Sequence, residues 1–226
     1  AGGSGVSESV YQIDQSIRFN VADSPFMSRT FGTATSLTTN TLSVWIKRGN
    51  LGTNQMIMVG STSAYSDTLY LMFQSDDVLR ITNGSGAIYM NSTQVFRDPS
   101  AWYHIVFVLD TSNTVSTERF RFYNNGQRIA DYSATFPSKD ATFKWNSSTG
   151  EHSIGCYLPG GGNDFIDGYM AEIVFIDGQA LDPSSFGEYN SSNIWVPKDV
   201  SGLTFGTNGF HIDGRDSSDL GDDESG

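Results

Sequence analysis

The 226-residue sequence has little charge, few basic residues and almost no cysteine. Its 13 Lys+Arg stand against 25 Asp+Glu, a net charge of −12. That excludes nucleic acid as a partner, because neutralising phosphates needs a basic stripe and the few cations here are scattered. The same sign disfavours an anionic membrane surface. Charged residues make up 17% of the chain, below the roughly 25% of ordinary domains, so much of the surface has to be neutral Ser, Thr, Asn and Gly. Cys156 is the single cysteine, which excludes an internal disulfide and points to assembly in a cytosol. No run of about 18 apolar residues occurs, so neither a transmembrane helix nor membrane insertion is expected. The opening residues AGGSGVSES hold no apolar signal-peptide core, and Ala1 reads as what remains when an initiator Met is trimmed. The sequons at Asn83, Asn91, Asn146 and Asn190 are then expected to go unused.

What is present is a β pattern. Hydrophobic residues reach 38%, enough for one large all-β domain. Alternation with β-branched and aromatic enrichment predicts strands over 16–20, 42–48, 55–60, 68–74, 78–82, 87–91, 102–109, 119–123, 127–131, 152–158 and 169–176. Arg119 and Arg121 alternate with Phe120 and Phe122, so that strand has one wet face and one core face. Asn124-Asn125-Gly126 supplies residues that tolerate positive φ, predicting a hairpin. One short helix is expected over 184–189, with Asp182 as its cap and Pro183 at its first position. The expected fold is an all-β antiparallel sandwich with that one helix. Residues 1–15 read as an arm or anchor, 16–212 as the sandwich and 213–226 as an acidic tail or linker that carries −5 of the −12.

Three landmarks, in order, resemble the laminin G-like branch of the concanavalin A-like jelly rolls. WYHIVFVLD at 102–110 looks like its Trp-opened central strand, RFYNNGQRIA at 121–130 like its Asn-Gly hairpin, and DGYMAEIVFIDGQALDPSSFGEY at 167–189 like its closing strand and short helix. Four further segments, RFNVADSPFMSRTFGT, VWIKRGNLG, EIVFIDGQALDPSSFGEY and WVPKDVSG, are similar to laminin G-like segments of tailed-phage structural proteins. The resemblance implies a non-enzymatic virion protein, a tail-fibre, head-fibre or decoration component. It would be assembled in the host cytoplasm and displayed on the particle exterior. The N-terminal arm, where Tyr11 and Ile13 alternate, would join it to other virion proteins. A homo-oligomer, with a trimer favoured, and binding of host-surface glycans are implied by the same analogy. The alternative is a carbohydrate-active enzyme or a free lectin module. An extracellular adhesion module would call for the signal peptide and disulfides that the sequence lacks.

Because the superfamily includes β-glucanases, catalytic carboxylates need a test. A retaining glycosidase needs two carboxyls about 5 to 5.5 Å apart. The only strand offering two candidates, Glu172 and Asp177, separates them by five residues, which is roughly 16 Å and opposite faces of a regular strand. His104, His152 and His211 are too dispersed for metal spacing, and neither a P-loop nor a G-x-S-x-G elbow occurs. His104 is expected to be a satisfied strand imidazole and Cys156 an inert buried thiol. No catalytic residue is therefore expected. Relatives of this branch hold Ca²⁺ at a loop rim, and by that analogy Asp164 and Asp167 in PGGGNDFIDG are the candidate calcium ligands. Tyr65, Tyr157 and Trp195 are the candidate platforms for stacking a sugar ring.

Overall fold

The computed structural model describes residues 11–62, 67–158 and 161–226. Two seven-stranded antiparallel sheets pack face to face. The first contains β1 (Ile17–Phe19), β3 (Thr39–Arg48), β8 (Tyr103–Asp110), β9 (Phe120–Asn124), β10 (Gln127–Arg128), β13 (Gly168–Asp177) and β16 (Phe210–Ile212). Its order is β1-β13-β3-β8-β9-β10, with β16 continuing the β1 edge along the far half of β13. The second runs β11-β7-β6-β5-β4-β12-β2, from β2 (Met27–Arg29), β4 (Gln55–Ser61), β5 (Leu69–Phe73), β6 (Val78–Asn83), β7 (Tyr89–Val95), β11 (Tyr132–Thr135) and β12 (Glu151–Ile154). No helix among the described residues is long and apolar enough to cross a membrane.

Alternation explains the layers. Val44 and Ile46 of β3, Phe107 of β8 and Phe120 and Phe122 of β9 meet Leu71 and Phe73 of β5 in one large core. The intervening residues of the first sheet, Val106, Val108, Val174 and Ile176, make a second apolar cluster on its outer side with Phe186, Val200 and Phe205. The segment after β13 therefore crosses back over the outer face of that sheet.

Three expectations change here. The helix over 184–189 is a single 3-10 turn, Pro183–Ser185, followed by β14 (Gly187–Tyr189), which pairs with β15 (Trp195–Pro197). The cause is local: the Asp182 side chain makes no capping bond, and Gly187 passes so close to the Trp195 ring that a Cβ there would stand 2.6 Å from it. The strand predicted over 127–131 is shortened because Ile129 turns into the main core, after which the chain crosses to the second sheet as β11. The turn that feeds it is as expected, with Asn125 at φ 47° and Gly126 at φ 78°. Finally, the acidic end is not simply a solvated tail. The Glu224 N–H donates to the His211 carbonyl, and the Asp223 carboxylate accepts from the His211 N–H and from Arg29 (2.5 Å). Asp223 thereby ties β16 of one sheet to β2 of the other.

Candidate functional site

A β-bulge in β13 shapes the outer face of the first sheet. Ala171 pairs with Trp45 and Val174 with Ser43, so Glu172 and Ile173 together oppose Val44. Glu172 takes φ 47°, and its side chain leaves the core to become a buried carboxyl, 6% exposed, on the outer side. There it accepts the Tyr11 hydroxyl at 2.9 Å and lies 2.6 Å from His211 Nε2. Burial, then the nearby Glu172, push the Tyr11 hydroxyl well above its ordinary range, which keeps it a donor. Residues 11–15, expected as an arm for a neighbour, thus lie against the chain's own sheet, and residues 1–10 fall outside the described residues.

Beside this anchor opens a cleft of about 750 Å³ lined by 11–16, Trp45, Trp102, Ala171, Asn190, Val196 and Pro197. Trp45 faces outward because it alternates with the core residues Val44 and Ile46, and Ala171 beside it is too small to fill the floor. Trp102, just ahead of β8, is 36% exposed and no other ring stacks on it among the described residues. One aromatic wall next to amides, a hydroxyl and a carboxylate is the composition of a small-molecule site, and the ring face suits the apolar side of a pyranose.

Under the cleft, His104 is fully buried, with Trp45 stacked on its face (4.7 Å) and Trp195 beside it edge to edge, near its plane (5.9 Å). Trp195 Nε1 donates to His104 Nδ1 at 2.9 Å, which leaves the ring proton on Nε2, 2.8 Å from Ser43 Oγ. Burial pushes this imidazole down to about 3, so it is neutral at any ordinary pH.

The residues predicted from sequence go elsewhere. Trp195 is half-buried, hydrogen-bonded to His104, edged by Tyr189 and closely approached by Gly126 and Gly187, and it lines a separate outer cavity with Tyr123 and Tyr189. Tyr157, 8% exposed, packs with Met56, Val59 and Met72 on the outside of the second sheet and meets Tyr70 edge-on. Tyr65 lies outside the described residues. Trp102, Trp45, Tyr11 and Asn190 were missed; the available signal was a tryptophan placed between two core positions of β3 and another at the mouth of β8.

Asp164 and Asp167 do share a rim cavity of about 390 Å³ with Asn50, Thr53, Asn54 and Gln55. It does not fit calcium. Arg18 Nη2 already stands 2.7 Å from the Asp167 carboxylate, where a cation would have to sit, and burial raises the Asp164 carboxyl. Among the described residues no group of three or more His, Cys, Asp or Glu could hold a metal. Glu172 and Asp177 share no partner: Asp177 accepts from Asn146 Nδ2 (2.6 Å) and from the N–H groups of Thr35, Ser36 and Asn208. Cys156 is buried and unpaired with another cysteine, and burial pushes its thiol up to about 11.

The family model described as "Concanavalin A-like lectin/glucanases superfamily", of laminin G type, matches residues 22–185. The chain belongs to that superfamily. Among solved structures sharing the superfamily fold, it is similar to a proposed carbohydrate binding protein from Bacteroides ovatus (TM-score 0.59, 20% identity). The match covers 84% of this chain and 50% of that one, so the chain spans half the length of that protein. A heptameric SAP-like pentraxin from Limulus polyphemus matches with TM-score 0.53 and 20% identity over 74% of this chain and 76% of that one. The enzymatically active domain of tailspike protein 2 from bacteriophage CBA120 matches with TM-score 0.51 and 13% identity over 76% of this chain and 26% of that one. No curated protein sequence matches.

Proposed function

We propose that this chain is a non-enzymatic glycan-binding domain, carried on the exterior of a tailed-phage particle, and that the cleft beside Trp102 is where the sugar binds. The observation that carries the reading is the exposed Trp102 ring over a cleft whose other lining groups are amides, a hydroxyl, a carboxylate and small apolar residues. Support comes from the description of the Bacteroides ovatus neighbour as carbohydrate binding and from the tailspike match, together with the phage-like segments of the sequence. Function without catalysis is favoured because both β13 carboxylates are fully engaged in holding the fold. The domain works as one copy of an oligomer, a trimer if the particle part is a fibre, joined to other virion proteins.

Two experiments test the two halves of the reading. A glycan array followed by titration calorimetry should find a saturable ligand whose affinity falls at least about tenfold in Trp102→Ala. No ligand, or one indifferent to Trp102, would sink the glycan half. Mass spectrometry of purified particles should detect the chain, and its absence there would sink the virion half.

A further inference from the structure

The charge around the cleft is strongly one-sided. Of its described lining residues only Asp14 is charged, and none is Lys, Arg or His. Among the described residues the Asp14 carboxylate makes no ion pair and no hydrogen bond, and Arg215 acts on it only at longer range. The charged groups close enough to act on the Tyr11 hydroxyl in the cleft wall are Glu172, Asp199 and Arg215. Arg215, the one guanidinium among those groups, already stands 3.3 Å from Asp213. Carboxylates outnumber cations at the cleft, and the net charge of −12 adds a long-range field of the same sign.

Resting on the reading of the cleft as a glycan site, we propose that it selects glycans by charge, with Asp14 as the specificity-determining residue. It admits neutral sugars, prefers those bearing a protonated amine and excludes those bearing carboxylate or sulfate. An ammonium brought to an exposed, unpaired carboxylate gains a modest attraction, worth about a two- to fivefold affinity ratio. An acidic sugar would meet the carboxylates of Asp14, Glu172, Asp199 and Asp213 against Arg215 alone, a guanidinium that Asp213 already engages. Because the groups are solvent-exposed, the selectivity weakens with salt on the scale of a Debye length of about 8 to 10 Å.

The test uses three matched trisaccharides, of N-acetylglucosamine (neutral), of glucosamine (amine-bearing) and of galacturonic acid (acidic), titrated by calorimetry into the full chain and into Asp14→Asn and Trp102→Ala. The expected order is amine-bearing, then neutral, with the acidic sugar unbound. The ratio of amine-bearing to neutral affinity should collapse to parity in Asp14→Asn and in 0.5 M NaCl. Acidic sugar binding as tightly as neutral, or an amine preference that survives Asp14→Asn, would overturn the selectivity while leaving the glycan reading intact. Failure of all three sugars, or binding unchanged in Trp102→Ala, would instead remove the glycan reading and the selectivity with it.

Discussion

The outer-face cleft and the Gly-rich rim are both concave and both carry aspartates, yet they differ in what their side chains are already doing. At the rim, Asp167 is paired with Arg18 and its carbonyl accepts the Gly49 N–H, while Asp164 at φ 49° gives its carbonyl to Met56. These residues hold two strands and a loop in place. In the cleft, the anchoring is done by groups set behind the wall, Glu172 with Tyr11 and His104 with Trp195, and the Trp102 ring and the Asp14 carboxylate on the solvent side keep their binding capacity. A ligand site is therefore marked less by residue type than by which groups the fold has not used.

Perturbing each anchor separates the two regions. The largest effect is expected at Glu172. Its replacement by Ala removes a buried acceptor from Tyr11 and His211, costs about 3 kcal/mol in chemical denaturation and frees the 11–16 wall, so glycan affinity falls with stability. Acid should also act through two buried imidazoles, His104 under the cleft and His152 on β12 of the second sheet. Burial holds His104 at about 3 and His152 at about 4, both below the ordinary 6.5, so the folded chain keeps them neutral while the unfolded chain protonates them. Stability is then full above pH 6.5 and falls as pH drops toward 4, by about 1.4 kcal/mol per pH unit for each histidine. The rim has no histidine, and urea melts of His104→Gln between pH 7 and 4.5 should show a flatter pH dependence than the parent.

Trp102→Ala comes next, with a loss of about 1.4 kcal/mol in glycan binding, corresponding to tenfold, and little change in stability because the ring is exposed. At the rim, Asp167→Ala should cost about 0.5–1 kcal/mol, since the Arg18 pair is partly solvated, and leave glycan titrations unchanged. The smallest effects are expected from calcium and from thiol reagents. Millimolar Ca²⁺ or chelator should not shift the melting temperature, and Cys156 should resist alkylation at pH 8 in the native state, because burial holds its thiol at about 11. A calcium-dependent rise in melting temperature would overturn the account of the rim.

Sequence carried the sandwich well because its signals are local and periodic. Phe120 and Phe122 alternating with arginines, the Asn125-Gly126 turn and the long apolar β3 and β13 each state their own structure. It carried the site poorly because the deciding facts are long-range. Whether Trp195 is a platform depends on His104, 91 positions away, and on Gly126 and Gly187 reaching its ring. Whether Asp167 can take a cation depends on Arg18, from the opposite end of the chain. The bulge that turns Glu172 outward breaks the very alternation from which its direction would be read. Helix chemistry at Asp182 and Pro183 was legible, but tertiary packing of Gly187 under Trp195 overrode it.

The central claim, that sugar binds beside Trp102, is tested most directly by following the indole N–H resonances of the four tryptophans during titration with a bound oligosaccharide. The account predicts that Trp102 shifts most and Trp45 next, while Trp195, held on His104, and Trp145, buried in the main core, stay in place. A shift confined to Trp195, or saturable binding that moves none of the four, would contradict it.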